Sequence, residues 1–555
     1  MQARRLRATV VVAAVGALLV GAAGCSKSER GSNSGKTGGT FVFAGAGDPK
    51  NFDPIFNDDG ESFRPARQMY DTLIQHKAGT AELAPALAEK WESDPTGKVW
   101  TFNLRKGVKF HDGTDFNAAA VCFNFDRWFN MKGAAAQSQM IYYGDVFGGF
   151  AKNEGDTTGE PIYDKCEAKD DGTAVVTLKK YKGAFPGAFA LTSFSMSSPK
   201  ALQQYNADQV KQQGDSFEYN EYANAHPTGT GAFTFGGWDK ANNTITLNRN
   251  PDYWGEKAKV DKLVIKIIKD ETARKQELRA GTVDGIDFPA PADAKAMQGE
   301  GFNVLPRPAF NILYLGINQK NNPALKDLRV RQALAYAINR EQLVQTKAPK
   351  GAEVAKEFMP KTVLGYADDV QEYKYDPAKA KSLLAEAGAT NLTLNFYYPP
   401  DVTRPYMPNP QEIFTVISND LQAVGIKVNG VPRPWNGGYK DDVQKLGKHD
   451  VHILGWTGDY NDPGNFAGTF FGRGKAEFGD ESMTEMFDVL AKADAEPDQA
   501  KKKAAWQQAN KDIMAKFLPA IPVWHSPPSI VVGKNIKGLV ASPLTDERFN
   551  TVSKS

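Results

Sequence analysis

The spacing of apolar positions changes along the chain in a way that separates strands from helices. Between Val99 and Leu104, the apolar Trp100, Phe102 and Leu104 alternate with Thr101 and Asn103, which predicts a strand with one buried face. Asp112-Gly113 then marks a turn. Asp376-Pro377 opens a helix, since aspartate caps a first turn and proline's fixed φ fits there. Ala380, Leu383, Leu384 and Ala387 fall on one face of it, and Gly388 supplies the stop. Leu392, Leu394 and Phe396 return to alternation. Ile413, Val416, Ile417, Leu421 and Val424 return to the helical period, closed by Gly425, and Ile426 to Val428 start a further strand. Strand, helix and strand in this rhythm predict an α/β protein with helices layered on a central sheet. Neither a solenoid-length repeat nor a heptad run interrupts it. Turn-rich spots near 227–231, 306–308 and 519–528 are the candidate domain seams.

The first residues follow another pattern. Arg4, Arg5 and Arg7 precede an apolar run from about Ala8 to Ala23. That run is short for a membrane span and suits the apolar region of a signal peptide. It ends in Ala22-Ala23-Gly24-Cys25, small residues before a cysteine, as in a bacterial lipobox, although Ala22 stands where a large aliphatic residue is usual. Lipidation at Cys25 is the expectation, with an ordinary cleaved signal or an uncleaved anchor as the alternatives. Residues 26–36 hold almost nothing apolar and read as a flexible tether. A multiply acylated cysteine anchors stably where a single chain does not.

The 555 residues exceed a single small domain. The formal charge of +2 includes the three signal arginines, so the body carries a net charge near −1, which argues against nucleic acid as a partner. No second long apolar run follows residue 24. Of the three cysteines, Cys122 and Cys166 remain once Cys25 is set aside; they permit one disulfide in an oxidising compartment, or two separate buried thiols.

A search for catalytic chemistry finds little. There is neither a Gly-x-Ser-x-Gly elbow nor a His-Glu-x-x-His helix. Gly31 to Thr37 resembles a phosphate loop but is one residue short and lies in the tether. His449 and His452 fall in a stretch that reads as a strand, where a spacing of three puts side chains on opposite faces and makes a shared metal ion impossible. No zinc cluster is expected.

Several segments, in order along the chain, resemble the extracellular solute-binding proteins of family 5, the peptide and nickel group of ABC importers. They are LAPALAEKW at 83–91, WTFNLRKGVKFHDG at 100–113, GTGAF at 229–233, RNPDYW at 249–254, AGTVD at 280–284 and LRVRQALAYAI at 328–338. Within them Phe102, Val108 and Phe110 read as core, and Arg105 and Asp112 as structural polar groups.

The resemblance implies a periplasmic-binding-protein-like α/β fold of type II in its three-domain variant, with two lobes closing around a ligand cleft. The expected division is a signal peptide at 1–24 and a tether at 25–38. A discontinuous first domain follows at 39–82, 229–310 and 528–555, then a second at 83–228 and a third at 311–527. The scaffold carries varied cargo, so the solute has to be read from the site. GWTGDYNDP at 455–463 resembles the loop of the dipeptide-binding subgroup whose first aspartate grips a peptide α-ammonium, a role that falls on Asp459. TRPYMPNP at 403–410 resembles the segment whose arginine takes the peptide carboxylate, a role that falls on Arg404. Trp435 and Trp456 would supply flat walls tolerant of varied side chains. Charge-assisted bonds at both ends suit a zwitterion, since burying either charge unpaired costs several kcal/mol. The implied protein is a monomeric, lipid-anchored carrier of short peptides on the outer side of the cytoplasmic membrane. Its partners are ABC permease subunits, and it needs neither cofactor nor metal and performs no catalysis. A nickel chelate, haem or oligosaccharide in the same cleft is the alternative cargo; a surface hydrolase or sensory lipoprotein is the alternative class.

Overall fold

The computed structural model describes residues 38–157, 159–214, 216–471, 476–479 and 483–555. The signal peptide, Cys25 and the phosphate-loop-like stretch at 31–37 lie outside the described residues. Among the described residues no helix is long and apolar enough to cross a membrane.

Three main sheets organise a mixed α/β chain. The first has seven strands in the order Phe233–Asp239, Thr244–Arg249, Lys262–Ile267, Thr40–Gly45, Gly285–Asp287, Ser529–Val532 and Asn303–Pro306. It thus gathers the start, middle and end of the described chain. The second is a four-stranded antiparallel sheet of Ala88–Ser93, Val99–Leu104, Thr173–Leu178 and Tyr163–Asp170. In Val99–Leu104 the alternate side chains Trp100, Phe102 and Leu104 are buried. Helix Ala118–Phe129 covers this sheet, and Cys122 on it is joined to Cys166 on the edge strand, with their Cα atoms 5.1 Å apart. The third sheet has six strands in the order Glu353–Val354, Ala520–His525, Asn311–Ile317, Val451–Thr457, Thr393–Tyr398 and Lys427–Pro432.

The helices on the third sheet start and stop where the sequence signals stand. Asp376 accepts from the Lys379 amide ahead of Pro377–Glu386, and Gly388 after it takes φ +68°. Asn409 caps Pro410–Ala423, which buries Ile413, Ile417 and Leu421. The motif stretch at 100–113 is structural: Phe102, Val108 and Phe110 are core, and Asp112 accepts from Ser198 and Thr114.

Two short connections join the first and third sheets, at 307–310 and 526–528. They run side by side: the Arg307 amide donates to the Pro528 carbonyl at 2.8 Å, and Asn311 exchanges hydrogen bonds with Ser526 at 2.7 and 3.0 Å. Beside them lies a buried charge network. Arg307 pairs with Asp287 and Glu547 at 2.7 Å each, and Arg64 pairs with Asp287 at 2.5 Å. The two arginines hold the Asp287 carboxyl below its usual range against the opposing effect of burial.

The histidine pair departs from expectation. The strand begins at Val451, so His449 precedes it and escapes strict alternation. The rings of His449 and His452 converge, with centroids 4.3 Å apart, and both meet Glu477: His449 Nε2 lies 3.0 Å from its carbonyl oxygen and His452 Nε2 2.8 Å from Oε1. Burial pushes His449 well below its ordinary pKa. Among the described residues no group of three or more potential metal ligands is assembled.

Candidate functional site

Three adjacent strands of the third sheet run parallel: Lys427–Pro432, Thr393–Tyr398 and Val451–Thr457. Their carboxyl ends therefore open on one edge, the usual place for a ligand in an α/β sheet. Each delivers a residue singled out in the sequence. Val451–Thr457 carries Trp456 and leads to Asp459, Thr393–Tyr398 leads to Arg404, and Lys427–Pro432 leads to Trp435. All four line one cavity of about 220 Å³, whose opposite wall comes from helix Gly60–Met69, Tyr142, the 190–192 segment and the 544–546 segment.

Local packing fixes the two loops. Arg404 and Met407 exchange backbone hydrogen bonds at 3.0 and 2.9 Å, closing a tight bridge. The Trp524 indole and the Ser526 hydroxyl hold the carbonyls of Tyr406 and Pro405 at 2.9 and 3.1 Å. Gly455 lets the Tyr406 ring lie on the strand; a Cβ there would run into that ring and the Ile312 carbonyl. Gly458 likewise admits the rings of Phe310 and Phe466 beneath the Asp459 loop. Asn465 organises that loop from below, accepting from the Asp459 amide at 2.8 Å and the Trp456 indole at 3.4 Å.

The charged groups are poised and unpaired. Asp459 Oδ2 accepts from the Tyr142 hydroxyl at 2.7 Å and from Asn465 at 3.4 Å, and among the described residues it forms no ion pair. Burial pushes its carboxyl up to about 7; the bonds from Tyr142 and Asn465 oppose that rise, and the charge of Asp145 adds to it. The Arg404 guanidinium lies over the Trp435 ring at 4.3 Å, again without an ion pair among the described residues, and its buried Nε has no hydrogen-bond partner. Trp435 is braced by the Tyr439 ring at 5.9 Å and, through its amide, by Asp401 at 2.8 Å.

Sequence reading missed the far wall. Tyr142 stands on Ile141–Phe147, more than 300 positions before its partner, and nothing local marks it. Arg64 and Arg67 carry a faint signal, because two arginines three apart share a helix face with Phe63 and all are buried. Tyr460, next to Asp459, inserts into the core beneath the four-stranded sheet.

Comparison with known proteins agrees with this architecture. The model for bacterial extracellular solute-binding proteins, family 5 Middle, matches residues 82–478. The dipeptide-binding protein of Escherichia coli K12 is 33% identical over 527 residues, covering 93% of this chain and 94% of the relative. Heme-binding protein A of Haemophilus influenzae is 31% identical over 569 residues, covering 99% of each. Among solved structures, a dipeptide-binding protein from Pseudoalteromonas sp. SM9913 in complex with Met-Leu superposes with a TM-score of 0.77 at 25% identity, covering 93% of this chain and all of that one. A periplasmic binding protein from Helicobacter pylori in complex with the peptide STSA gives 0.74 at 27% identity, covering 94% and 98%.

Proposed function

Taking as premise that the chain belongs to the bacterial extracellular solute-binding proteins of family 5, we propose that it captures short peptides outside the cytoplasmic membrane and passes them to the permease of an ABC importer. In this reading it is held to the membrane by lipid on Cys25, and the units at 83–228 and 311–527 close with the discontinuous first domain over the cleft. One observation carries the peptide assignment: an aspartate and an arginine, neither with an ionic partner among the described residues, line a single small cavity. A free dipeptide or tripeptide presents the complementary pair of charges.

The chemistry follows from the groups. Asp459 accepts from the α-ammonium, and Asn465 and Tyr142 fix its carboxylate from behind. Arg404 clamps the carboxylate with parallel N–H bonds, its plane set by Trp435. The spacing of the two charges selects ligand length, while Trp456 and backbone groups at the strand ends accept varied side chains. The test is calorimetry with Ala-Ala, its N-acetyl form and its C-amide. Both capped forms lose binding, and Asp459→Ala weakens the free dipeptide by about 2–5 kcal/mol. Equal binding of capped and free forms refutes the assignment.

A haem-like solute is the second reading. It is favoured by the full-length similarity to a haem-binding protein and by a groove of about 970 Å³ that adjoins the cavity at Phe288, Arg404 and Pro405. A Soret-band shift on titration with haemin, without any response to peptides, supports it instead.

A further inference from the structure

Two buried nitrogen atoms on the wall facing Asp459, Arg67 Nε and His76 Nε2, have no hydrogen-bond partner among the described residues. Their side chains line a partition. Arg67, His76, Ala190, Thr192 and Asp546 border the ligand cavity on one side and a rear space of about 440 Å³ on the other. Both are deeply buried, with Arg67 5% exposed and the His76 side chain 3%.

The neighbouring carboxylates each bond another side chain, while Glu547 Oε2 stays without a hydrogen-bond partner among the described residues. Asp546 Oδ2 lies 3.0 Å from His76 Nδ1, Glu547 meets Arg307 at 2.7 Å, and Asp287 is held by Arg64 and Arg307. The Arg67 guanidinium donates to the Thr545 carbonyl and packs over the Phe63 ring at 5.8 Å; among the described residues it forms no ion pair. Burial pushes it down to about 10, against the opposing charges of Asp546 and Glu547. For His76, the contact with Asp546 occupies Nδ1 and leaves Nε2 for another group.

The position relative to the ammonium subsite follows from contacts. Arg67 lies on Phe63, the Phe63 ring is 6.0 Å from that of Tyr142, and Tyr142 bonds Asp459. One aromatic pair thus separates the arginine from the aspartate, and the charge of Arg67 still acts on the Asp459 carboxyl. Resting on the peptide reading above, we propose that Arg67 and His76 recognise an acidic side chain at the first or second position of the bound peptide, which enters the rear space through this partition. A carboxylate there would pair with Arg67 Nε–H beside His76 Nε2. The amide of the same shape would leave the arginine charge unmatched, and truncating one partner of a buried charged pair is costly.

The test is calorimetry at pH 7 with Ala-Ala, Glu-Ala, Gln-Ala, Ala-Glu and Ala-Gln on the purified mature protein. One acidic peptide should bind at least tenfold tighter than its amide isostere, and Arg67→Met and His76→Asn should each bring that ratio toward one. The ratio is unaffected by any uniform loss of affinity that a structural role of Arg67 would cause. Ratios near one for both pairs in the unmodified protein overturn the proposal, whether or not the variants fold. So does an unchanged ratio in a folded Arg67→Met protein. Absence of all binding, Ala-Ala included, overturns the peptide reading itself, an outcome distinct from loss of the acid preference alone.

Discussion

The raised carboxyl of Asp459 makes peptide affinity a bell-shaped function of pH. Ion pairing needs an ionised aspartate and a protonated α-amine. The first has a pKa of about 7 in the empty cavity, and the second titrates at about 7.9 in a free peptide. The product of the two fractions peaks near pH 7.4, about midway, and falls to roughly one-sixth at pH 6 and one-eighth at pH 9. Isothermal titration of Ala-Ala in overlapping buffers reads this directly and counts the proton released at acid pH. Tyr142→Phe removes a bond that lowers the Asp459 pKa, so the acid limb should move to higher pH. Asp459→Asn should abolish the acid limb along with most of the affinity. The same group gives the ligand-free protein a stability slope. Its folded pKa lies above the unfolded value near 3.9, so the folded state holds a proton the open chain has released. Stability then falls as pH rises from about 4 to about 7, and Asp459→Asn flattens that decline. A dissociation constant that stays within twofold from pH 6 to pH 9 refutes the reasoning.

Four further outcomes can be checked. Trp435→Ala removes the ring beneath Arg404 and should weaken free dipeptides by about 1–2 kcal/mol in calorimetry. Arg404→Lys keeps the charge but loses the planar fork; it should weaken free dipeptides at least tenfold while leaving the residual binding of C-amidated ones unaltered. Replacing Cys122 and Cys166 by alanine opens a 44-residue loop and should lower unfolding stability by up to about 4 kcal/mol in a denaturant titration. Gly455→Ala forces a methyl against the Tyr406 ring and the Ile312 carbonyl and should cost about 1–3 kcal/mol by the same measurement.

The legible parts of the fold are those governed by local rules. The strand at Val99–Leu104 and the cap at Asp376 rest on periodicity and on a side chain reaching its own backbone, so the sequence contains them entire. The opposite-face expectation for His449 and His452 fails because strict alternation starts only at Val451, two residues after His449. Asp459, Arg404, Trp435 and Trp456 were singled out through motif resemblance, and the fold supplies the reason they can act together: three parallel strands end on one edge. Tyr142, Arg67 and His76 reach the same cavity only because the four-stranded unit, helix Gly60–Met69 and strand Ile74–His76 pack opposite that edge. Such an approach is set by tertiary contacts among residues hundreds of positions apart, and no window of sequence holds it.

Tyr460 sits beside Asp459 on a loop that belongs by connectivity to the six-stranded unit, yet its ring is sealed in the core of the four-stranded one. Swinging these units apart means drawing the ring out into water, at a cost of about 1.5–3 kcal/mol for an aromatic of this kind. The loop thus behaves as a snap fastener, with a detent that resists gaping even when nothing occupies the cleft. Its release would also pull the aspartate away from its tyrosine, so parting the units and loosening the hold on cargo would happen in a single movement.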